Sequence, residues 1–448
     1  MLDSRKVFIT GIGIISPCGE NSTQTWKSLI EGRVISEPIP SHWNDYTELK
    51  SRIWAPLPDI DYSNKNISRA DKLQLDKMQL LSIIAAQEAL ESAQLPFFPD
   101  KQKKNCFTIP ELPQDRTGVF MGTGSGGITS VISAQANHTF TPVEKRLNFL
   151  DSTVKNQIDS LKLGQIMRTP ARYNPFVVSM MMPNACSSAL GIRFGLTGTN
   201  ETCCLACASG TVAIGKAYRA IANGELDCAL CGGAEYLGDE YGGVFRSFDS
   251  ADTLVKGEFP SSPFDKNRSG FLFAEGGAAV LILESYEHAA ARRAPILGAL
   301  RGFESCFDPY SCMSMEPGGK GIEEMLRALL KAAELIPSDI DYINSHGTAT
   351  EMNDEIEASV IHRVFGNNTP VNSTKALMGH SLGACGAIET AVTVLSLFHG
   401  RIHGMPLLDD PIENIMIFKQ SQPLQGRFAL TQSFAFGGHN AALLLEKV

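Results

Sequence analysis

The sequence has no apolar run long enough to cross a membrane. A transmembrane helix needs roughly 18 to 20 predominantly apolar residues, whereas the stretch Ala278–Leu283 has only the length of a strand. The N-terminal segment MLDSRKVFITG places charged residues directly before a predicted strand and has no apolar signal-peptide core. We therefore expect a cytoplasmic protein that does not bind a membrane.

An excess of basic residues is also missing. The 448 residues include 39 Lys and Arg against 48 Asp and Glu, which gives a net charge of −9 at pH 7. Because binding to the phosphates of nucleic acid favours a basic surface, this balance argues against a nucleic-acid partner. Hydrophobic residues make up 43% of the chain, so the composition predicts a globular protein. At roughly 150 residues per domain, the length predicts about two or three packed units.

The cysteines do not form the dense, even-numbered set of a small secreted domain. There are 11, spread over the whole chain, which indicates free thiols rather than a disulfide framework. A zinc site is the competing interpretation, because Cys203, Cys204 and Cys207 are followed by Cys228 and Cys231 in the predicted strand LDCALCGG. Residues three apart on a strand point to opposite faces and cannot share a metal ion, so we predict no metal site here.

Strands and helices alternate along the chain. A helical pattern covers residues 79–94, and strand-to-helix patterns recur through to a closing pair of strands in ALTQSFAFGGHNAALLLEK. This alternation predicts a layered α/β fold in two halves, residues 1–294 and 295–448. Residues 129–200, rich in Asn, Thr and Met, fit the alternation poorly and are predicted to form a cap or a subunit interface.

Two glycine loops, TGIGIIS and GTGSGG, resemble nucleotide-binding turns but lack the rest of the signature. A dinucleotide site needs a third glycine that opens a helix and an acidic residue at the end of the second strand. The GxxxxGK[ST] pattern of nucleoside triphosphate sites is also missing from the sequence. We expect these glycines to allow tight turns and close approach of the backbone.

Three short segments carry residues suited to covalent chemistry. Cys207 lies between a predicted strand and a helix in LACASGTVAIG, where backbone N–H groups and the helix dipole favour a thiolate. His346 ends a strand in INSHGTAT, and His380 follows Lys375 in STKALMGHSLG. Because ligands gather beyond the carboxyl ends of strands, these loops are expected to converge. A cysteine with two imidazoles suits acyl transfer through a thioester.

A serine hydrolase is the competing interpretation. The segment GHSLG satisfies G-x-S-x-G, and Ser381, Asp409 and His439 follow the chain order of an α/β-hydrolase triad. That motif needs a core strand directly before it, however, and VNSTKALM is a poor apolar strand. It would also leave Cys207 and His346 without a role.

Several motifs together resemble the β-ketoacyl-acyl-carrier-protein synthases, condensing enzymes of the thiolase superfamily. They are KVFITGIGIISPCG, ACASG, SPFDKNRSGFLFAEGGAAVLILE, HGTAT, STKALMGHSLGACGAIE and SFAFGGHN, and they run along nearly the whole chain. The resemblance implies a five-layered α-β-α-β-α fold built from two similar halves, usually in a dimer.

By the same resemblance, Cys207 is the acylated nucleophile and His346 and His380 are the two active-site histidines. Lys375 and Glu389 match an ion pair that supports the histidine loops. The reaction implied is the decarboxylative condensation of a malonyl group with the acyl chain on Cys207.

The remaining site residues also come from the resemblance. Phe436 matches a gating phenylalanine whose backbone N–H joins that of Cys207 in an oxyanion hole, and Thr348 and Thr350 match the threonines that contact phosphopantetheine. Ser125 stands where a larger residue often lines the acyl pocket. No metal or nucleotide is implied, since the phosphopantetheine arrives on the acyl carrier protein.

Departures from the fatty-acid enzymes indicate the subtype. Asn353, Asp354 and Glu357 after HGTAT resemble the ketosynthase subunits of type II polyketide synthases, whereas fatty-acid enzymes usually carry proline there. This favours a polyketide ketosynthase whose heterodimer partner is a chain-length-factor homologue. The alternative is a fatty-acid elongating 3-oxoacyl synthase II that works as a homodimer.

The partner implied for either enzyme is an acyl carrier protein. Because carrier proteins and this chain are both acidic, docking is expected to use a local basic patch. By analogy with the family, the candidate residues are Arg69, Lys72 and Lys77.

Overall fold

A computed structural model of the chain describes residues 5–44, 48–136, 173–412 and 414–448. Of the cap or interface segment predicted at 129–200, residues 137–172 lie outside this description. The described part of that segment contains helices at 128–136, Val177–Met181 and Ala185–Phe194.

Ten strands form one sheet. In chain order they are β1 Val7–Ile15, β2 Thr117–Gly122, β3 Asn200–Cys203, β4 Cys228–Tyr236, β5 Gly276–Ser285, β6 Gly298–Phe307, β7 Ile340–Asn344, β8 Val371–Asn372, β9 Phe428–Ala435 and β10 His439–Glu446. Their order across the sheet is β8-β7-β9-β10-β6-β1-β5-β4-β2-β3. Outside this sheet, two-residue strands form three small antiparallel pairs: Glu37–Pro38 with Ile53–Trp54, Phe98–Pro99 with Phe107–Thr108, and Arg401–Ile402 with Gln422–Pro423.

The sheet consists of two halves with the same topology. Counted outward from the centre, the first half runs β1-β5-β4-β2-β3 and the second runs β6-β10-β9-β7-β8. In each half the two outer pairings are parallel and the two inner ones antiparallel. An antiparallel pairing of β1 with β6 joins the halves. The predicted α/β fold from two similar halves is confirmed, whereas the boundary at residue 294 stays a prediction.

Helices cover both faces of each half. The α-helices are α1 Ser22–Ile30, α2 Arg69–Gln74, α3 Lys77–Ser92, α4 128–136, α5 Val177–Met181, α6 Ala185–Phe194, α7 Ser209–Ala222, α8 Gly243–Ser250, α9 Tyr286–Arg292, α10 Lys320–Ala332, α11 Glu351–Phe365, α12 Lys375–Met378 and α13 Cys385–His399. Short 3₁₀ turns lie at Ser41–Asn44, Gln114–Arg116, Ala206–Ala208, Pro337–Asp339 and Leu382–Ala384.

These helices make five layers with the sheet. The outer layers are α3, which packs on β1, β5 and β4, and α10, which packs on β6 and β10. Helices α7 and α13 contact each other and strands of both halves, so they form the middle layer. Strands β4 and β5 are buried along their whole length, as expected for strands covered on both faces.

Two sequence expectations are resolved by this packing. Cys228 belongs to the apolar core beneath α3, and Cys231 to the core around α7 and α13, so the prediction of opposite faces is confirmed. Glycines in TGIGIIS serve close packing, because a Cβ at Gly13 would lie 1.9 Å from the carbonyl oxygen of Ala85 in α3.

One sequence expectation was wrong. Residues Leu382–His399 form a helical stretch long and apolar enough to pass a transmembrane criterion, with mean hydropathy 1.4 over 18 residues. The stretch is 78% buried inside the fold. Its apolarity therefore reflects its place in the middle layer, where both faces of the helix contact protein.

Candidate active site

Cys207 lies in a tight turn between β3 and the start of α7. The turn Ala206–Ala208 is 3₁₀, and Ala206 adopts the left-handed conformation with φ of 47°. Ser209 closes the turn: its hydroxyl accepts from the N–H of Leu205 and donates to the carbonyl of Ala206. The Cys207 side chain is buried at the junction of the two halves.

His380 contacts the thiol directly. Its Nε2 lies 3.0 Å from Cys207 Sγ, and the edge of Phe271 packs against the ring at a centroid distance of 5.2 Å. The backbone N–H of His380 donates to the carbonyl of Leu272 at 2.8 Å. His380 Nδ1 is buried without a hydrogen-bond partner in the described part of the chain.

His346 completes the group from the loop after β7. Its ring centroid lies 5.5 Å from that of His380, at an interplanar angle of 85°. Lys375 Nζ lies 3.2 Å from His346 Nδ1 and donates to the His346 carbonyl at 2.6 Å. Because an ammonium group can only donate, Nδ1 accepts and the ring proton is on Nε2.

Lys375 and Glu389 form a buried ion pair. Both side chains are almost fully buried, and Lys375 Nζ contacts Glu389 Oε1 directly. Burial raises the pKa of Glu389 to about 7, and the charge of Lys375 opposes that rise. The pair fixes the ammonium group against His346.

Burial controls the charge state of the three reactive groups. It raises the pKa of the Cys207 thiol to about 12, although the charge of Lys375 opposes the rise. The pKa values of His346 and His380 are held well below their usual range by burial first and the nearby Lys375 second. The expectation of a resting thiolate is therefore wrong, because burial outweighs the helix start: a neutral thiol faces two neutral imidazoles.

Alkylation of Cys207 by iodoacetamide is expected to accelerate about tenfold per pH unit between pH 7 and pH 9. The thiolate is the reacting species, and its fraction rises tenfold per unit below the pKa. Peptide mapping by mass spectrometry separates this reaction from that of the exposed Cys204. A rate that is already constant at neutral pH would contradict the neutral resting thiol.

The HGTAT loop is held by buried carboxylates that sequence reasoning treated only as subtype markers. Glu357 accepts from the N–H groups of His346 and Gly347, each at 2.7 Å. Asp354 accepts from the N–H of Thr348 at 3.0 Å. Their spacing of three on α11 places both carboxylates beneath the loop, and this spacing is the signal that could have identified them.

A narrow cavity of about 90 Å³ leads to Cys207 past Thr348 and Thr350. The two threonine hydroxyls lie 2.9 Å apart. A second cavity, of about 340 Å³, begins at Cys207 on another side. Phe436 and Leu382 line both cavities, so the predicted gate residue lies between the two spaces.

Ser125 lines the second cavity, as expected, but its hydroxyl is not free. It donates to Oε1 of the fully buried Glu235 at 2.7 Å. Glu235 also accepts from the N–H groups of Gly124 and Gly383, and so ties the glycine loop to the loop that follows His380. No local sequence signal marked Glu235, because its partners are far away in the chain.

The residues of the hydrolase interpretation are not brought together. Asp409 is exposed and pairs with Lys419 at 3.4 Å, while His439 packs against Phe307 with centroids 5.2 Å apart. Ser381 is buried and precedes a 3₁₀ turn. Within the described residues, no recorded contact joins these three side chains.

Comparison with known families agrees with this geometry. The model of the β-ketoacyl synthase N-terminal domain matches residues 4–289, and that of the C-terminal domain matches residues 297–408. The chain belongs to the β-ketoacyl synthase family. It is therefore a condensing enzyme of the acyltransferase class, and the hydrolase interpretation is wrong.

Relatives of this β-ketoacyl synthase match it along its whole length. The 3-oxoacyl-[acyl-carrier-protein] synthase 2 of Synechocystis sp. is 32% identical over 456 residues, covering 100% of this chain and 99% of that protein. A β-ketoacyl synthase structure from Burkholderia phymatum STM815 is 26% identical with a TM-score of 0.80, covering 99% and 100%. The ishigamide ketosynthase/chain length factor structure is 25% identical with a TM-score of 0.81, at the same coverage.

Proposed function

We propose that this enzyme catalyses the decarboxylative Claisen condensation of a malonyl thioester with an acyl chain held on Cys207. One observation carries the proposal: the Cys207 thiol, 3.0 Å from His380 Nε2, lies where the cavity past the threonines meets a second cavity. The first space suits a phosphopantetheine arm and the second an acyl chain.

In the first half-reaction, Cys207 Sγ attacks the carbonyl carbon of the incoming acyl thioester. The thiol proton passes to His380 Nε2 and then to the departing phosphopantetheine sulfur, so no net charge stays in the buried site. A neutral imidazole suits this transfer, since it can accept and return a proton. The backbone N–H groups of Cys207 and Phe436 are proposed to hold the developing oxyanion.

In the second half-reaction, the carbon–carbon bond to the malonyl carboxylate breaks. CO₂ leaves, and the bonding electron pair forms an enolate on the thioester. His346 Nε2–H, fixed by Lys375 on the other ring nitrogen, is placed to donate to that enolate oxygen, together with His380 in the tautomer that carries its proton on Nε2. The enolate carbon attacks the acyl carbonyl, and Cys207 departs as a thiolate that takes up one proton from solvent, which balances the negative charge brought in by the malonyl carboxylate.

We propose that the chemistry uses no metal or nucleotide, and that phosphopantetheine arrives on an acyl carrier protein. Thr348 and Thr350 are proposed to bind that arm. The ligand atoms of Cys207, His346 and His380 lie within 4.8 Å of one another, close enough to share a metal ion. A bound metal ion would occupy the Cys207 sulfur and block its acylation, so we propose that the enzyme is active without a metal ion.

We propose that the enzyme is the ketosynthase subunit of a type II polyketide synthase, working in the cytoplasm. The similarity to the ishigamide ketosynthase/chain length factor supports this assignment, as do Asn353 and Asp354. The similarity to the 3-oxoacyl-[acyl-carrier-protein] synthase 2 of Synechocystis sp. supports the alternative, which is fatty-acid elongation. The Asn353 side chain donates to Asp354 and Glu357. The residues that indicate the subtype are therefore the ones that hold the loop of His346.

Carrier-protein docking is proposed at the basic residues near α2 and α3. Arg69, Lys72 and Lys77 are exposed. Two of them rest on aromatic rings, Lys72 over Tyr62 at 4.7 Å and Lys77 over Tyr236 at 4.4 Å. This arrangement holds the two ammonium groups in place for an acidic partner.

Co-expression with a homologous subunit that lacks the nucleophile is expected to yield a stable heterodimer whose products are longer than those of the chain alone. The physical reason is that a partner at the subunit interface can extend the acyl cavity beyond this chain. Product length by mass spectrometry, with and without the partner, is the measurement. A homodimer that elongates ordinary acyl chains equally well alone would assign the enzyme to fatty-acid synthesis instead.

A further inference from the structure

Glu235 is a buried carboxylate that the proposed reaction does not use. It lies near the end of β4 and is fully buried. It accepts hydrogen bonds from the N–H groups of Gly124, Ser125 and Gly383 and from the Ser125 hydroxyl. Burial raises the pKa of Glu235, and these hydrogen bonds oppose that rise. Because a protonated carboxyl group would place its own donor among these donors, the hydrogen-bond partners favour the ionised form.

Two glycines let this carboxylate contact two loops at once. A Cβ at Gly383 would lie 2.1 Å from the backbone nitrogen of Gly124 and 2.5 Å from Glu235 Oε2. A Cβ at Gly124 would lie 2.9 Å from the same carboxylate oxygen. The glycine loop and the loop that follows His380 are therefore in direct contact at Glu235.

The glycine loop packs against the turn that carries Cys207. The N–H of Thr123 donates to the carbonyl of Cys203 at 3.0 Å, on one side of the turn. On the other side, a Cβ at Gly122 would lie 2.3 Å from the carbonyl carbon of Ser209. A shift of the glycine loop would therefore move the Cys207 turn.

The His380 loop is fixed on two sides. The N–H of His380 donates to the carbonyl of Leu272, and three residues later the N–H of Gly383 donates to Glu235 at 3.1 Å. Between them, Leu382 adopts the left-handed conformation with φ of 44°. A non-glycine residue keeps such a conformation only where its surroundings hold it. The bond to Glu235 is part of that support.

We infer that Glu235 is a positioning residue that sets the contact between the Cys207 thiol and His380 Nε2. The thiol and the histidine come from different halves of the fold, so neither half alone fixes their distance of 3.0 Å. Glu235 bonds to a loop of each half and lines neither cavity at Cys207. The inference rests on the proposed condensing function and names a residue that this function requires.

The charge of Glu235 acts on the same thiol. Burial first, and then the charges of Glu389 and Glu235, raise the pKa of Cys207 against the effect of Lys375. Removing the Glu235 charge therefore increases the thiolate fraction at a given pH, which speeds alkylation. Loss of the positioning bonds slows acyl transfer, because that step needs His380 in place to carry the proton. The two reactions of Cys207 are thus expected to respond in opposite directions.

Glu235→Gln tests this expectation, since it keeps the side-chain shape and replaces one accepting oxygen with a donor. Acylation of Cys207 by octanoyl-pantetheine is measured in single turnover over a range of thioester concentrations. The maximal rate is expected to fall about 10²-fold, while the concentration for half the maximal rate stays within about twofold. Alkylation of Cys207 by iodoacetamide at pH 8 is expected to rise severalfold.

Glu235→Asp separates the charge from the reach of the carboxylate. The shorter side chain keeps its charge but cannot contact both loops, so slower acylation without faster alkylation is expected. Should Glu235→Gln fail to fold, this variant decides alone, and acylation at the full rate would overturn the inference. Glu225→Gln, at an exposed position ten residues earlier, is the matched control and is expected to keep both rates.

Two further results would contradict the role of Glu235. One is full acylation in Glu235→Gln, and the other is a parallel loss of acylation and alkylation, which would indicate a purely structural residue. Failure of the proposed function is distinguishable, because the unmodified enzyme would then not be acylated at Cys207. Failure of this inference leaves that acylation intact and is seen only in the variants.

Discussion

Cys207→Ala is expected to abolish acyl transfer, with condensation falling by about 10⁴-fold or more. Loss of a covalent nucleophile removes the step on which the later ones depend. Among the described residues, the Cys207 thiol is the nucleophile that contacts His380 Nε2. Alanine fits the small turn, so the free energy of unfolding is expected to change by about 1 kcal/mol.

The matched control is Cys204→Ala, three residues away. Its thiol is exposed and contacts only the carbonyl of Gly124 at 3.5 Å in the recorded bonds. Full condensation in this variant and none in Cys207→Ala would assign the chemistry to the buried thiol. Stable acylation of Cys207→Ala at another cysteine would contradict that assignment.

Replacing His346 or His380 with alanine is expected to slow condensation by about 10² to 10⁴-fold, but through different half-reactions. His380 touches Cys207 Sγ, so His380→Ala is expected to slow both acylation and decarboxylation. His346 is fixed by Lys375 and lies beside the other ring. His346→Ala is therefore expected to leave acylation nearly intact and to slow the release of CO₂.

Single-turnover acylation and CO₂ release from malonyl-carrier protein measure the two steps separately. His362 provides the control, because its ring is exposed and contacts Asn367 rather than a residue of the site. The His362→Ala variant is expected to keep both rates. Equal loss of both steps in His346→Ala would show that this histidine supports the fold of the site rather than the second half-reaction.

Much of the site could be predicted from the sequence because its reactive residues occupy short, distinct segments. ACASG and HGTAT each place one side chain between a strand and a helix, and STKALMGHSLG places His380 in a loop ahead of one. Local rules for turns and helix starts apply to such segments. The convergence of the loops followed from the α/β pattern, since they come from strands of one sheet.

The supporting shell could not be predicted in the same way. Glu235 bonds to residues 110 and 148 positions away in the chain, and no motif marks it. Such partners depend on how α7, α13 and the sheet pack together. A carboxylate with no local motif is indistinguishable in the sequence from one on the surface.

The sequence by itself determined the α/β class, the family and the identity of the reactive side chains. Only the tertiary structure decided their charge: the helix start alone favours a thiolate, but burial between the halves raises the pKa of Cys207 to about 12. It also decided that the apolar helix Leu382–His399 is a core element, and that the Ser125 hydroxyl bonds to Glu235. The reason is that desolvation and hydrogen-bond pairing depend on every group packed around an atom, and most of those groups are distant in the chain.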